Sequence, residues 1–206
     1  MNYELVIFDF DGTIADSQDL MIFAYKQIAI NRNIETLDDD KILELRKLSA
    51  KEIIKILGVK LWQIPSFIRE ARFIYSENIN LIKPIDEINK LVREIRPLTK
   101  IAIVSTNSAS TIKSYLKKID LDIFDDIIEA GLFNKSNSIN KLIKKYKINK
   151  TKAIYIGDEV RDIESSKKSG ISCISVAWGM NTIEFLEQNT NFKVAKKPQD
   201  LLDYLK

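Results

Sequence analysis

The sequence predicts an α/β fold, a doubly wound parallel sheet with a helical segment inserted after its first strand. Three observations carry that prediction. Short runs rich in Ile and Val recur at 5–8, 101–104, 127–129, 153–156 and 173–176. They are near-continuous in apolar character, as strands covered on both faces are. Helical patterns separate most of them, whereas the long stretch after the first run holds no convincing strand.

Each element has its own local reason. The first run, LVIF, ends at the turn sequence DFDGT. Asp16 or Ser17 is placed to cap a helix carrying Leu20, Phe23, Ala24 and Ile28. Asp38, Asp39 and Asp40 put negative charge where a helix starting near Lys41 has its positive end. Ser49 and Glu52 have capping-box spacing, and Gly58 closes that helix. Pro65 suits the first turn of a helix over 66–76. Later helices are expected over 85–95, 108–118, 136–146 and 160–168, the last stopping before Gly170. The predicted organisation is a core of residues 1–15 and 83–206 with a helical unit of residues 16–82.

Composition narrows the function. The chain has 206 residues, enough for one domain of ordinary size plus an insertion. Its net charge of +3 is too mild to argue for nucleic acid. No apolar run is long enough to span a bilayer, and the N-terminus does not read as a signal peptide. Cys173, the single cysteine, permits no internal disulfide and reads as an inert strand residue, so a cytoplasmic location is expected. There is no histidine. A Ser-His-Asp triad, a Cys-His pair and a His-ligated zinc are therefore excluded, and proton transfer falls to carboxylates, lysine, tyrosine or water.

In an open parallel sheet, ligands bind beyond the carboxyl ends of the strands. There the chain places Asp9-Phe10-Asp11-Gly12-Thr13, then Ser105-Thr106-Asn107, then Gly157-Asp158-Glu159-Val160-Arg161-Asp162. Lys135 stands just before a predicted helix. Carboxylates crowded in this way repel one another unless a cation sits among them, and hard oxygen donors suit Mg²⁺. Lys141 is the alternative to Lys135, although the run Lys141, Lys144, Lys145, Lys147 reads as a solvated helix face. Trp62 and Trp178 read as packing residues.

The order of these motifs, DFDGT with IADS, then STN, a lone lysine, and GDEVRD with IESSKKSG, resembles the haloacid dehalogenase-like superfamily of phosphohydrolases. The likeness covers the whole chain and is closest to the subfamily that includes phosphoglycolate phosphatase. It implies a Rossmann-like core with an inserted helical cap. It also implies Asp9 as nucleophile, Asp11 as acid and base, and Lys135 as the charge-neutralising lysine. Mg²⁺ would be bound by the Asp9 carboxylate, the Asp11 carbonyl and Asp158. Ser105, with backbone groups near Phe10, Gly12, Thr106 and Asn107, would hold the phosphoryl oxygens. Glu159 or Asp162 is a supporting group or a further ligand, and the sequence leaves that choice open. Arg46 or Lys47, in ELRKLSAKE, is the candidate contact to an anionic leaving group.

The expected activity is a Mg²⁺-dependent phosphatase acting on a small phosphate ester, as a monomer or homodimer, with no nucleic-acid or membrane partner. A sugar-phosphate phosphomutase and a catalytically silent phosphate-binding protein are the alternatives. A dehalogenase fits less well, because its chemistry needs neither Asp11 nor a magnesium site.

Overall fold

The computed structural model describes residues 1–206. In chain order the elements are β1 (Leu5–Phe8), β2 (Ala15–Asp16), α1 (Gln18–Asn31), α2 (Asp39–Leu45), α3 (Ala50–Ile56), α4 (Ile64–Glu77) and β3 (Lys83–Pro84). There follow α5 (Asp86–Ile95), β4 (Lys100–Ser105), α6 (Ala109–Lys118), β5 (Asp126–Glu129), α7 (Lys135–Tyr146) and β6 (Ala153–Gly157). The chain ends with α8 (Val160–Ser169), β7 (Ser172–Val176), α9 (Ile183–Asn189), β8 (Lys193–Ala195) and α10 (Pro198–Leu205).

Six strands form one parallel sheet in the order β5-β4-β1-β6-β7-β8. The winding reverses beside β1, the position where an open α/β sheet leaves a crevice. β1 has no exposed residue, and its side chains alternate between two cores. Val6 and Phe8 pack with α5, α6 and α10, through residues such as Leu91, Tyr115 and Leu205. Leu5 and Ile7 pack with α7, α8 and α9, through Ile139, Ile163 and Leu186. Burial on both faces explains why β1, β4, β6 and β7 read as unbroken apolar runs.

The helices α1 to α4 stand between two very short strands. β2 and β3 pair antiparallel, Ala15 with Pro84 and Asp16 with Lys83. Leu20, Ala24 and Ile28 of α1 and Ile74 and Tyr75 of α4 extend the first core. The expected end signals act here. Asp38 accepts from the Lys41 N–H at 2.8 Å, and Ser49 and Glu52 form the reciprocal capping box. Gly58 takes the left-handed conformation, φ +65°. Ser17 occupies the position before α1 but its side chain makes no cap bond.

The structure corrects one packing expectation and adds elements. Trp62 is 74 % exposed, on the turn that leads into α4, so it is not a packing residue. Trp178 is half-buried against the first core, and its indole N–H donates to the Thr13 carbonyl. β2, β3 and β8 were not expected from the sequence; they are two or three residues long, too short to show a period. No helix is long and apolar enough to cross a membrane.

Candidate active site

The acids and the hydroxyl of the site hang from the carboxyl ends of β1, β4 and β6. Register places Ser105 and Asp158 each two residues beyond the partners of Phe8. Asp9 continues the line of β1 and is buried. The chain then turns tightly, with the N–H groups of Ile14 and Ala15 both donating to the Phe10 carbonyl. The Phe10 ring goes inward, edge-on to Tyr115 with ring centres 5.4 Å apart, so Phe10 anchors the turn from below.

Gly12 permits that turn at φ +69°, and it also makes room. A Cβ there would lie 2.2 Å from Asp158 Oδ2. Gly179, in the loop after β7, approaches Asp158 as closely, and the adjacent Met180 N–H donates to Asp158 Oδ2 at 2.6 Å. Asp158 thus packs against two side-chain-free positions.

Lys135, the first residue of α7, has no exposed surface. Its ammonium contacts the Asp9 carboxylate and donates to Asp162 Oδ1 at 2.6 Å. Lys141, Lys144 and Lys147 are exposed on the same stretch. Asp162 also accepts the Glu159 N–H at 3.2 Å. Carboxylate oxygens of Asp9, Asp158 and Asp162 lie within 4.8 Å of one another. Asp162, not Glu159, therefore joins the acidic cluster; Glu159 pairs with Arg161 at 2.5 Å.

The electrostatics follow from burial. Asp158 is pushed well above the usual carboxylate range by burial and by the charges of Glu159, Asp9 and Asp162. Burial likewise lifts Asp162 to about 6, against the pull of Lys135. Burial alone would lower Lys135, but Asp162 and Asp9 outweigh it and hold the ammonium above its ordinary value. Three buried carboxylates thus lie together, and the Lys135 ammonium pairs with only two of them, Asp9 and Asp162. That excess of negative oxygen donors fits a hard divalent cation such as Mg²⁺.

Asp11 stands apart from this cluster. One of its oxygens accepts from the Asn107 amide at 3.2 Å, and the other is enclosed with no partner. Burial lifts its carboxyl to about 6, and the Asp9 charge adds to the effect. Asp11 lines the adjoining cavity, and an acid lifted to that range can exchange protons with a group bound there.

Some expected contacts are spent elsewhere. The N–H of Phe10 donates to Asp9 Oδ1, that of Gly12 to the Ala15 carbonyl, and that of Asn107 to Ser105 Oγ. These backbone groups shape the turn. Ser105 is buried, and Thr106 lines the cavity. Arg46 and Lys47 make no contact with the acidic cluster itself. Arg46 donates to the carbonyls of Gly179 and Met180, both at 3.0 Å, and Lys47 is exposed and paired with Glu44. In this structure the basic pair ends a helix, and Arg46 fastens that helix end to the loop after β7.

Sequence reasoning missed Arg161, Gly179 and Asn181. Arg161 lines the cavity beside Asp11, with Nε and Nη1 enclosed and unpartnered. Its signal was its place inside GDEVRD. Asn181 donates to the carbonyls of Arg46 and Leu48 and accepts from the Val160 N–H. Nothing in its neighbourhood in sequence marks that role.

A family model described as haloacid dehalogenase-like hydrolase matches residues 6–176. The chain belongs to the haloacid dehalogenase-like hydrolase family. It is an enzyme of that family, a phosphatase. Among its relatives, a phosphoglycolate phosphatase of Synechococcus elongatus is 24% identical over 202 residues, covering 97% of this chain and 95% of that one. A pyrophosphatase PpaX of Listeria innocua is 28% identical over 214 residues, covering 96% and 94%. Among solved structures, a haloacid dehalogenase-like family protein from Streptococcus pneumoniae superposes with TM-score 0.83 at 21% identity, over 100% of this chain and 99% of that one. A predicted phosphatase from Clostridium acetobutylicum gives 0.85 at 20% identity, over 98% of each. These two structural likenesses speak to the fold of this haloacid dehalogenase-like hydrolase, whose sheet and helices they share.

Proposed function

We propose that this hydrolase is a Mg²⁺-dependent phosphomonoesterase that frees phosphate from a small phosphorylated metabolite in the cytoplasm, through an aspartyl-phosphate formed on Asp9. The observation that carries the reading is the division of labour between two acids two residues apart. Asp9 is buried against Lys135, whereas Asp11 lines the cavity and carries no cation on its carboxylate.

In the proposed reaction an Asp9 oxygen bonds to phosphorus as the bond to the leaving oxygen breaks. Asp11 gives that oxygen its proton, then takes a proton from the water that hydrolyses the aspartyl-phosphate and restores Asp9. Lys135 balances charge beside Asp9 throughout, and Asp162 keeps Lys135 in place. Ser105 and the backbone at Thr106 hold phosphoryl oxygens, and Asn107 orients Asp11. Mg²⁺ would be held by the carboxylates of Asp9 and Asp158 and the Asp11 carbonyl, and when bound it supplies positive charge against the phosphate. Residues 16–82 serve as a cap over a core of 1–15 and 83–206, excluding water when closed. The relatives named for phosphoglycolate and pyrophosphate support a small phosphorylated substrate.

The test is phosphate release from a panel of phosphorylated metabolites, with and without Mg²⁺, by the wild type and Asp9→Asn. Release that needs both Mg²⁺ and Asp9 is expected. Release undiminished in the variant would overturn the mechanism, and conversion to an isomer without free phosphate would make the protein a mutase.

A further inference from the structure

The cavity beside Asp11 measures about 370 Å³. Binding sites for whole small molecules begin near ~300 Å³, and a water molecule claims roughly 30 Å³. The space therefore exceeds what a two-carbon acid needs. Its outer walls are apolar, formed by Met21, Ala24 and Ile28 of α1 facing Phe67, Ile68 and Ala71 of α4. The cations on the helical side of the cavity are committed. Arg72 donates to the Thr106 carbonyl and pairs with Glu129, and Arg46 and Lys47 point elsewhere. Unspent polar groups come from the core side alone, where Asp11 Oδ1 and two Arg161 nitrogens lack partners.

We infer that the leaving group of the substrate has an apolar body that fills this cavity, such as a branched-alkyl or arylalkyl alcohol, in place of a short polar acid. The inference rests on the phosphatase reading above. Its reason is desolvation. A short anionic leaving group would meet apolar walls with no free cation between α1 and α4, and would leave the remaining space to water. An apolar body displaces that water and buries its own surface, while the phosphoryl end stays with the polar groups of the core.

The experiment measures kcat/KM of the full chain with Mg²⁺ for ethyl, 2-phenylethyl and cyclohexylmethyl phosphate, phosphoglycolate and pyrophosphate. The three alcohols leave with similar intrinsic ease, so differences among their esters report the cavity. The two larger esters are expected to exceed ethyl phosphate, phosphoglycolate and pyrophosphate by at least about tenfold, the scale at which apolar pockets discriminate. Filling the cavity with Ala71→Phe should bring the ratio of 2-phenylethyl to ethyl phosphate toward one, with the milder Ala71→Val between. Circular dichroism checks that both variants fold, and the wild-type ratios decide the matter even where one does not. Phosphate release that favours ethyl phosphate, phosphoglycolate or pyrophosphate would overturn this inference and leave the phosphatase reading standing. Release from no compound would overturn both.

Discussion

Lys135 is the costliest residue at the site to place and to lose. Sealing an ammonium from water is unfavourable unless paired carboxylates offset it, and here Asp9 and Asp162 do so. Lys135→Met leaves both acids in a buried site without their partner. It should destabilise the fold by about 3–5 kcal/mol, the usual effect of breaking a buried pair, read by urea unfolding. Asp9→Asn should abolish phosphate release while the fold persists, and Asp11→Asn should slow it by roughly a hundred- to ten-thousand-fold. Cys173 offers a contrast. Burial pushes its thiol up to about 12, so no thiolate forms at neutral pH. Iodoacetamide at pH 8 should label the chain in urea but not when folded, as mass spectrometry would show. At this scale the sequence was readable where chemistry follows a strand end directly, as at Asp9, Asp11 and Asp158. The Lys135–Asp162 pair was not, because its members lie 27 positions apart and meet only through the packing of α7 on α8.

Glycines show how the elements set their own tolerances. Gly58 closes the helical stretch at φ +65° with nothing within 4 Å of a Cβ. Gly58→Ala pays only for a left-handed backbone, about 1–2 kcal/mol, and should leave turnover intact. In Gly179→Ala a Cβ would fall 2.2 Å from the Cβ of Asp158, so the carboxylate must shift. That variant should lose phosphate release even where thermal melting shows it folded. The first predicts a lower melting temperature at full activity, the second the reverse emphasis. Four of the five longer runs, β1, β4, β6 and β7, were legible as strands because both faces are buried, which removes the alternation of an amphipathic edge; the edge strand β5 is only partly covered and was legible from its Ile pair. β8 was not legible: of its three residues only Ala195 is buried. The strands β2 and β3 arise from pairing across the whole insertion, and two residues carry no period at all.

For the molecule as a whole, the acidic cluster leaves negative charge at the centre that a divalent cation would offset. A ligand that binds only the folded state stabilises it by about 2.7 kcal/mol at a hundred times its dissociation constant. Mg²⁺ should therefore raise the melting temperature, and Asp158→Asn should remove most of that rise, as differential scanning fluorimetry would measure. That a run of helices, α1 to α4, separates β1 from β4 was visible in the sequence, since it needs only the positions of apolar runs. The way the two parts are fastened was not. It depends on Arg46, Asn181 and Gly179 meeting from distant positions, and a basic residue at a helix end gives no hint of what it will touch.

That fastening has a mechanical consequence. The stretch 179–182 grips the turn after α2 through Arg46 and Leu48, and through the Met180 N–H it also grips Asp158. One piece of backbone thus serves as a lever with the insertion on one arm and an acid of the site on the other. Movement of the helical part would therefore tug the carboxylate, and because such coupling is reciprocal, loading the carboxylate would steady the helical part.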